Sequence, residues 1–327
     1  VVIPCLNERD YIEACLRSLI ASDMDDECIE IIVADGMSDD GTREIITKLA
    51  QQHKSIRLID NPEKLTPIAL NRGLKAATGN VKVILGAHSE VYPDFLSQNM
   101  ALLSEQPEAS CVGGILENVY EDGVSHIIGQ AMSSPFGVGT AHFRTGLKAG
   151  WVDTVAFGAY RQEVFEDIGY FDKELPRNQD DEFNHRLLDS GKKIYLSPRI
   201  RCKYFVRGSF SSLWKQYYQY GYFKVLVNKK HRTVTTVRQL FPLFFVLYLM
   251  LCPLAMLVLG GFWLALLPLA LYALFALVFA VRVGSSSVLG IIRAFLSLHL
   301  SYGFGYLKGI VDFLVLGKNS AKASSSR

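Results

Sequence analysis

The stretch IEIIVADGMSDDGTREIITKLAQQ, residues 29–52, decides the fold. Its first seven residues read as a buried strand. The segment from Asp40 onward reads as an amphipathic helix opened by that aspartate, and the loop between them is short, acidic and glycine-bearing. A strand that passes directly into a helix in this way is half of a βαβ unit. The pattern repeats on both sides. VVIP (1–4) is a strand, and NERDYIEACLRSLI (7–20) a helix with Tyr11, Ile12, Cys15, Leu16 and Leu19 on one face. IRLID (56–60) is a third strand, IALNRGLKAA (68–77) a helix and VKVIL (81–85) a fourth strand. This alternation predicts an α/β fold with a doubly wound, mostly parallel sheet, and ligands at the carboxyl ends of its strands.

The residues at those ends are Asn7 and Glu8, Asp35, and Gly86, Ala87 and His88. Asp35 stands too early to cap the helix that follows, so it is expected to bind a ligand, accepting from the imide N–H of a uracil-type base or from ribose hydroxyls. Further on, RNQDDEFNHRLL (177–188) starts a helix with three consecutive acids, Asp180, Asp181 and Glu182, behind a capping Asn178. Glu182 and Arg186 have the i, i+4 spacing of a helical ion pair. Between these sites, FGAYR (157–161) offers Gly158 and Ala159 as a small-residue wall for a sugar, with plain packing as the equal alternative.

Half of the 327 residues are hydrophobic, 20% are charged, and the net charge is +2. The distribution is uneven. No charged side chain occurs from Gln239 to Val281, a length of about 65 Å as a helix and enough for two bilayer crossings. Spans are expected at 240–260 and 262–281, turning at Gly260 and Gly261, with 291–316 left open as a third span or a packed helix. Residues 199–238 hold many Lys and Arg and no Asp or Glu. A basic segment directly before a membrane span marks the cytoplasmic side and argues against a nucleic-acid role. With Trp214, Tyr217, Tyr218 and Phe223 among its lysines, 206–238 reads as interfacial helices, and Gln216 and Tyr217 as residues closing over the site. A catalytic domain is therefore expected at 1–205, a membrane region at 239–316 and a polar tail at 317–327. Six cysteines without pairing or metal-ligand spacing fit a reduced, cytosol-facing protein.

VVIPCLNE, VADGMSDDGT, NPEKLTPIALNRGLKAATG, HSEVYPDFL and NQDDEFNHRLLDSGKK, in that order, resemble the motifs of family-two glycosyltransferases. Within that family the chain is similar to the membrane-anchored enzymes of succinoglycan-type exopolysaccharide assembly. The resemblance implies a GT-A fold and an inverting transfer from a nucleotide-diphosphate sugar, a UDP-sugar by preference, to a polyprenyl-linked saccharide. It further implies an integral membrane protein, in the plasma membrane of a prokaryote, with the catalytic domain facing the cytoplasm. It puts Pro4, Asn7, Glu8, Gly86 and Ala87 around the nucleotide sugar, Asp35 at the base, and Asn71 and Arg72 in the pocket floor. The family's metal-binding aspartate pair falls on Gly86 and His88, and its Glu-Asp motif on Gln179 and Asp180. Asp180 is then the general base, with Gln179 and Asp181 toward the acceptor. His88 is the metal ligand, for Mn²⁺ more readily than for Mg²⁺, which prefers oxygen. The alternatives are a processive polysaccharide synthase, against which the absence of an Arg-Trp after QYYQY counts, and a non-catalytic scaffold of the same fold.

Overall fold

The computed structural model describes residues 1–139, 142–145, 148–206, 208–235, 237–259, 262–284 and 287–318. In chain order the elements are β1 (Val2–Cys5), α1 (Arg9–Ile20), β2 (Ile31–Asp35), α2 (Thr42–Gln52), β3 (Ile56–Asp60), α3 (Thr66–Ala76), β4 (Val81–Val83) and β5 (Ser89–Val91). Next come α4 (Phe95–Glu105), β6 (Ala109–Val119), α5 (Gly123–Met132), α6 (Pro135–Val138), α7 (His142–Thr145), β7 (Gly150–Val152) and β8 (Ala156–Arg161). The chain continues through α8 (Gln162–Ile168), α9 (Gln179–Asp189), β9 (Lys193–Phe205) and α10 (Phe210–His231). The last helices are α11 (Phe241–Leu259), α12 (Phe262–Arg282) and α13 (Val288–Gly309). They divide between two compact units.

The first unit, Val1–Val119 with His142–Phe205, is the α/β layer. β1, β2 and β3 are parallel neighbours, each followed by a helix as the sequence requires. Ile12, Cys15, Leu16 and Leu19 of α1 are buried, while Tyr11 rests on the Phe205 ring at 5.5 Å. β4 joins the parallel trio through a bridge from Ile84 to Val2. From there the expectation of a mostly parallel sheet is corrected. The order is β4-β8-β6-β9-β5, with β7 also on β9, and every pairing but the parallel β6–β9 is antiparallel. Parallel neighbours need a crossover helix. β8 instead enters between β4 and β6 running against both, so the sheet is mixed.

Two apolar clusters hold this unit. One gathers Ile3, Leu16, Ile31, Val33, Ile46, Leu85 and Val112. The other stacks Phe183 on Phe171 and Phe165 at 4.5 and 5.3 Å. Full burial of one such ring is worth roughly 2–3 kcal/mol.

The second unit is Tyr120–Ala141 with Val206–Arg327; the first unit ends at Phe205, and the 120–141 segment, expected within 1–205, belongs to the second. The chain leaves the sheet after β6, contributes α5 and α6 to a helical unit, and returns. The sequence carried a signal for this: no Asp, Glu, Lys or Arg occurs between Gly123 and Phe143. Within the helical unit Phe136 stacks on Phe279 and meets Phe295 edge-on at 4.9 Å, and its carbonyl lies 2.9 Å from His299 Nε2.

α10 lies in the segment expected to form interfacial helices. Gly221 to Val227, Lys224 included, are buried, so the middle of α10 has no solvent face. Exposed groups are kept at its two ends, Trp214 in the first turns and Lys229 in the last. α10 and α13 touch backbone to backbone at glycines. A Cβ on Gly221 would lie 2.1 Å from the Tyr302 carbonyl oxygen, and one on Gly305 would lie 2.0 Å from that of Tyr218. Small residues are what permit such an approach.

Helices stand where the two spans were expected, although the described apolar stretches, Val237–Pro253 and Leu266–Arg282, are short. The Gly260–Gly261 turn lies outside the described residues. α13 continues through a π-helical stretch to Val315, and among the described residues this 28-residue run is the one long and apolar enough to cross a bilayer.

Candidate active site

The site is built at the carboxyl ends of β1, β2 and β4, at the amino end of the antiparallel β8 and at the first turn of α9. Asn7, just past β1, has φ 54°; Met37, Lys64, Phe157 and Asn178 also take positive φ without being glycine. Such backbone costs about 1 kcal/mol or more per residue and persists where surrounding contacts enforce it. Here the β1 and β2 loops enforce each other. The Asn7 N–H donates to Ser38 Oγ at 2.8 Å, Asn7 Oδ1 accepts from the Asp39 N–H at 3.2 Å, and the Glu8 N–H donates to Thr42 Oγ1 at 2.9 Å. Pro4 lies opposite Ala34 in the strand register beneath them. Asp40 is not the N-cap residue, which is Gly41 at φ 100°. Its carboxylate accepts from the Thr42 N–H and hydroxyl and from the Arg9 N–H, tying α1 to α2.

Asp35 corrects the picture of a carboxylate presented to a base. It is fully buried, accepts from the Ser38 hydroxyl at 2.5 Å and from the Ser38 N–H at 2.9 Å, and pairs with Arg43 at 2.7 Å. Arg43 also pairs with Asp60 at the end of β3 at 2.7 Å. Three of about four acceptor positions on Asp35 are thus filled, and its work is to shape the loop. The hydrogen bonds to Asp60 and then Asp35 hold the Arg43 guanidinium above its ordinary pKa.

Asn71 is likewise a clamp. Its amide donates to the Phe171 carbonyl at 2.7 Å and accepts from the Phe171 N–H at 2.9 Å, buried. Arg72 lies beside Glu63 in a two-pronged pair at 2.8 and 2.9 Å and also donates to the Asp60 carbonyl.

At the end of β4, Gly86 sits under the Phe157 ring. A Cβ there would lie 3.3 Å from Phe157 Cε1 and from Ser89 Oγ, so the space of a side chain at 86 is taken by Phe157. Ala87 is buried. His88 is half-exposed; its Nδ1 stands 3.3 Å from Glu8 Oε1, and its ring meets Tyr204 edge-on at 6.1 Å. The two groups stand in ion-pair range of each other at a spacing close to the roughly 3.0 Å between adjacent ligands of an octahedral ion with bonds of about 2.1 Å. His88 and Glu8 therefore fit a divalent cation, with further ligands to come from a bound diphosphate. Glu90, the other acid nearby in sequence, is paired with Lys203 at 3.1 Å. Sequence reasoning missed Glu8 as the partner of His88. It also missed Arg144, whose guanidinium lies over the Tyr204 ring at 4.9 Å. Its signal was being the first formal charge after 21 uncharged residues.

α9 begins at Asn178, whose side chain makes no capping bond to the helix. Asp180 is exposed in the first turn of α9. Burial, then the charges of Cys111 and Asp180, hold the Tyr160 phenol well above its usual range. Glu182 and Arg186 form the expected pair, two-pronged at 2.7 and 2.9 Å, with Glu182 buried. Gln179 and Asp181 are half-buried beside Asp180. The small-residue wall is corrected: Gly158 and Ala159 lie inside the sheet, and a Cβ at 158 would meet Cys111 Sγ at 2.8 Å. Gln216 and Tyr217 belong to α10 of the helical unit, where Gln216 donates to the Tyr220 hydroxyl at 2.9 Å.

The profile described as glycosyl transferase family 2 matches residues 1–169. The chain belongs to that family. This family 2 glycosyltransferase is 32% identical, over 70% of its length and 74% of the relative's, to a dolichyl N-acetyl-alpha-D-glucosaminyl phosphate 3-beta-D-2,3-diacetamido-2,3-dideoxy-beta-D-glucuronosyltransferase of Methanococcus voltae. It is 28% identical to the succinoglycan biosynthesis protein ExoA of Rhizobium meliloti, covering 96% of this chain and 95% of that one. Among solved structures it resembles the mannosyltransferase PcManGT from Pyrobaculum calidifontis in complex with GDP-Man and Mn²⁺ (TM-score 0.62, 19% identity, 91% of this chain and 85% of that one). S. aureus TarS 1-349 matches with TM-score 0.51 and 17% identity over 69% of this chain; this chain spans 63% of that one. These likenesses establish the GT-A fold.

Proposed function

We propose that the protein is a membrane-bound inverting glycosyltransferase that moves a sugar from a nucleotide-diphosphate donor to a lipid-linked saccharide, in exopolysaccharide or cell-surface glycan assembly. The observation that carries this reading is the union, in one chain, of the strand-end site with helices whose outward side chains are apolar. Phe241 is 70% exposed, Leu274 54% and Val281 59%. Such a surface suits lipid rather than water. The relatives named above, one acting on a dolichyl-linked sugar and one from succinoglycan biosynthesis, support the acceptor class. The basic run before α11 supports a cytoplasmic catalytic unit in a prokaryotic plasma membrane.

In this reading the donor nucleotide lies across the ends of β1 and β2, against Pro4, Asn7 and Glu8, with Asp35 and Arg43 holding the loop that meets the base. Gly86, under the Phe157 ring, and the buried Ala87 carry His88 to the diphosphate. An acceptor hydroxyl attacks the anomeric carbon, Asp180 takes its proton, and the bond to the nucleoside diphosphate breaks with inversion. Gln179 and Asp181 hydrogen-bond the acceptor. A divalent cation held by His88 and Glu8, Mn²⁺ in preference to Mg²⁺, supplies charge neutralisation for the leaving diphosphate. Arg144 adds a fixed positive charge near the same point.

The test uses the full chain in lipid, a panel of labelled nucleotide sugars and extracted lipid-linked saccharides, with and without Mn²⁺. Asp180→Asn is expected to lower transfer by roughly 10²–10⁴-fold with nucleotide affinity retained. Transfer at the parental rate by that variant overturns the general-base role. Equal metal dependence of His88→Ala and the parent overturns the ligand role.

A further inference from the structure

Within the helical unit, α5, α6 and the end of α12 line an open pocket of about 430 Å³ that the catalytic reading does not use. Its lining includes Tyr120, Gln130, Ser134, Phe279, Arg282 and Val283. We infer that this pocket binds the sugar-phosphate junction of a lipid-linked saccharide, the acceptor class of the proposed function, on which this inference rests.

Three chemistries converge there. Arg282 is the sole formal charge of the 21-residue α12 and its last residue, which places it where an apolar helix leaves the bilayer core. It is exposed, packs over the Phe279 ring at 5.7 Å, and has no carboxylate in ion-pair range among the described residues. A guanidinium in that position is complementary to a phosphate. The Ser134 oxygen already accepts from the Phe136 N–H at 3.3 Å, which leaves its O–H to donate to the same anion.

Gln130 Oε1 is the second feature. It is buried from solvent and has no hydrogen-bond partner. An unsatisfied buried acceptor costs about 1–3 kcal/mol, so the atom calls for a donor, and the ionised phosphodiester of a lipid-linked sugar has none to give. A sugar hydroxyl has one. Tyr120 sits beside it, 39% exposed, its ring fixed edge-on against His126 at 4.6 Å as a flat wall for a pyranose. The third feature is apolar: Phe279 and Val283 line the remainder and match the first isoprene unit. A phosphate, hydroxyls with a ring face, and a hydrocarbon occur together in a polyprenyl (di)phosphate sugar. Inorganic phosphate reaches Arg282 and Ser134 but brings neither ring nor hydrocarbon, and phosphatidylglycerol lacks the ring.

The experiment places the full chain in phosphatidylcholine nanodiscs and measures binding of a fluorescent polyprenyl diphosphate hexose. Unlabelled polyprenyl phosphate, phosphatidylglycerol and inorganic phosphate serve as competitors. Arg282→Gln is expected to weaken binding of both polyprenyl probes about tenfold or more. Gln130→Met is expected to weaken the hexose-bearing probe about threefold and leave the sugar-free probe unchanged. Helix content and donor hydrolysis without acceptor should match the parent in both variants. Parental affinity in Arg282→Gln, or competition by phosphatidylglycerol or inorganic phosphate as strong as by polyprenyl phosphate, overturns the inference. Arg282-dependent binding without transfer to any lipid-linked saccharide upholds this site and defeats the transfer reading. Transfer that persists while Arg282→Gln binds as the parent does upholds the transfer reading and defeats this site.

Discussion

The α/β unit and the helical unit achieve close packing by opposite means. In the first, polar side chains bind the backbone together at the strand ends: Asp35 to Ser38 and Arg43, Asn71 to both polar groups of Phe171, Asp40 to Thr42 and Arg9. In the second, glycines remove side chains so that α10 and α13 meet backbone to backbone. The contrast follows from surroundings. A site that handles a charged donor needs polar groups held rigidly, and each buried one needs a partner. Helices that carry apolar side chains outward as well as inward are joined here by close contact at small residues.

This contrast can be broken at four points. The largest effect is expected for Gly305→Leu, which would drive Cβ to within 2.0 Å of the Tyr218 carbonyl. A backbone clash of that kind should cost more than about 3 kcal/mol. Amide exchange across 210–231 and 288–309 in the full chain should accelerate; unchanged protection would show that glycine contact does not hold this unit.

Asn71→Ala should rank next. Two buried hydrogen bonds are lost and the Phe171 backbone is left unsatisfied, about 2–3 kcal/mol by general experience. The variant should melt several degrees lower yet keep the parental nucleotide affinity at low temperature. A selective loss of nucleotide binding would instead return Asn71 to the pocket floor.

Asp40 gives a smaller, pH-linked effect. Burial raises its pKa, but the Thr42 hydroxyl and N–H and the Arg9 N–H outweigh this, and the net value is below the ordinary 3.8. A depressed carboxylate contributes stability that is present above its unfolded pKa and fades as pH falls through the folded value. Asp40→Ala should therefore melt below the parent at pH 7, with the gap closing below about pH 4. A gap independent of pH would remove the charge from the argument.

Thiol labelling should show the least consequence. Burial pushes Cys15 up to about 12 and raises Cys5, Cys111 and Cys202 as well, whereas Cys28 is exposed. A maleimide at pH 7.5 (a value chosen on the order of neutrality) should modify Cys28 first and leave transfer unchanged. Rapid loss of activity would place a reactive thiol in the site.

Much of the site was legible because its signals are local. A strand ending in Asn7 and Glu8, another ending in Asp35, and an acidic first turn at Asp180 all follow from periodicity and position. The Glu182–Arg186 pair followed from helical spacing and is present. What those side chains do was less legible. Asp35 looked like a ligand group, but Ser38 and Arg43 fill its acceptor positions, a fact that depends on how the loop folds back. Gly158 and Ala159 looked like a sugar-facing wall, but β8 entered the middle of the sheet and turned them inward.

The sequence by itself determined the strand–helix order of the first 85 residues, the acids at the strand ends and the helical, apolar nature of the C-terminal region. Each of these depends on neighbours along the chain, through side-chain period and composition. Tertiary structure alone decided the rest. It made the sheet mixed, carried 120–141 into the helical unit, buried the middle of α10, brought Glu8 to His88 and put Phe157 in the space above Gly86. Those outcomes join residues that are distant in sequence, and no local pattern records which distant surface a side chain will meet.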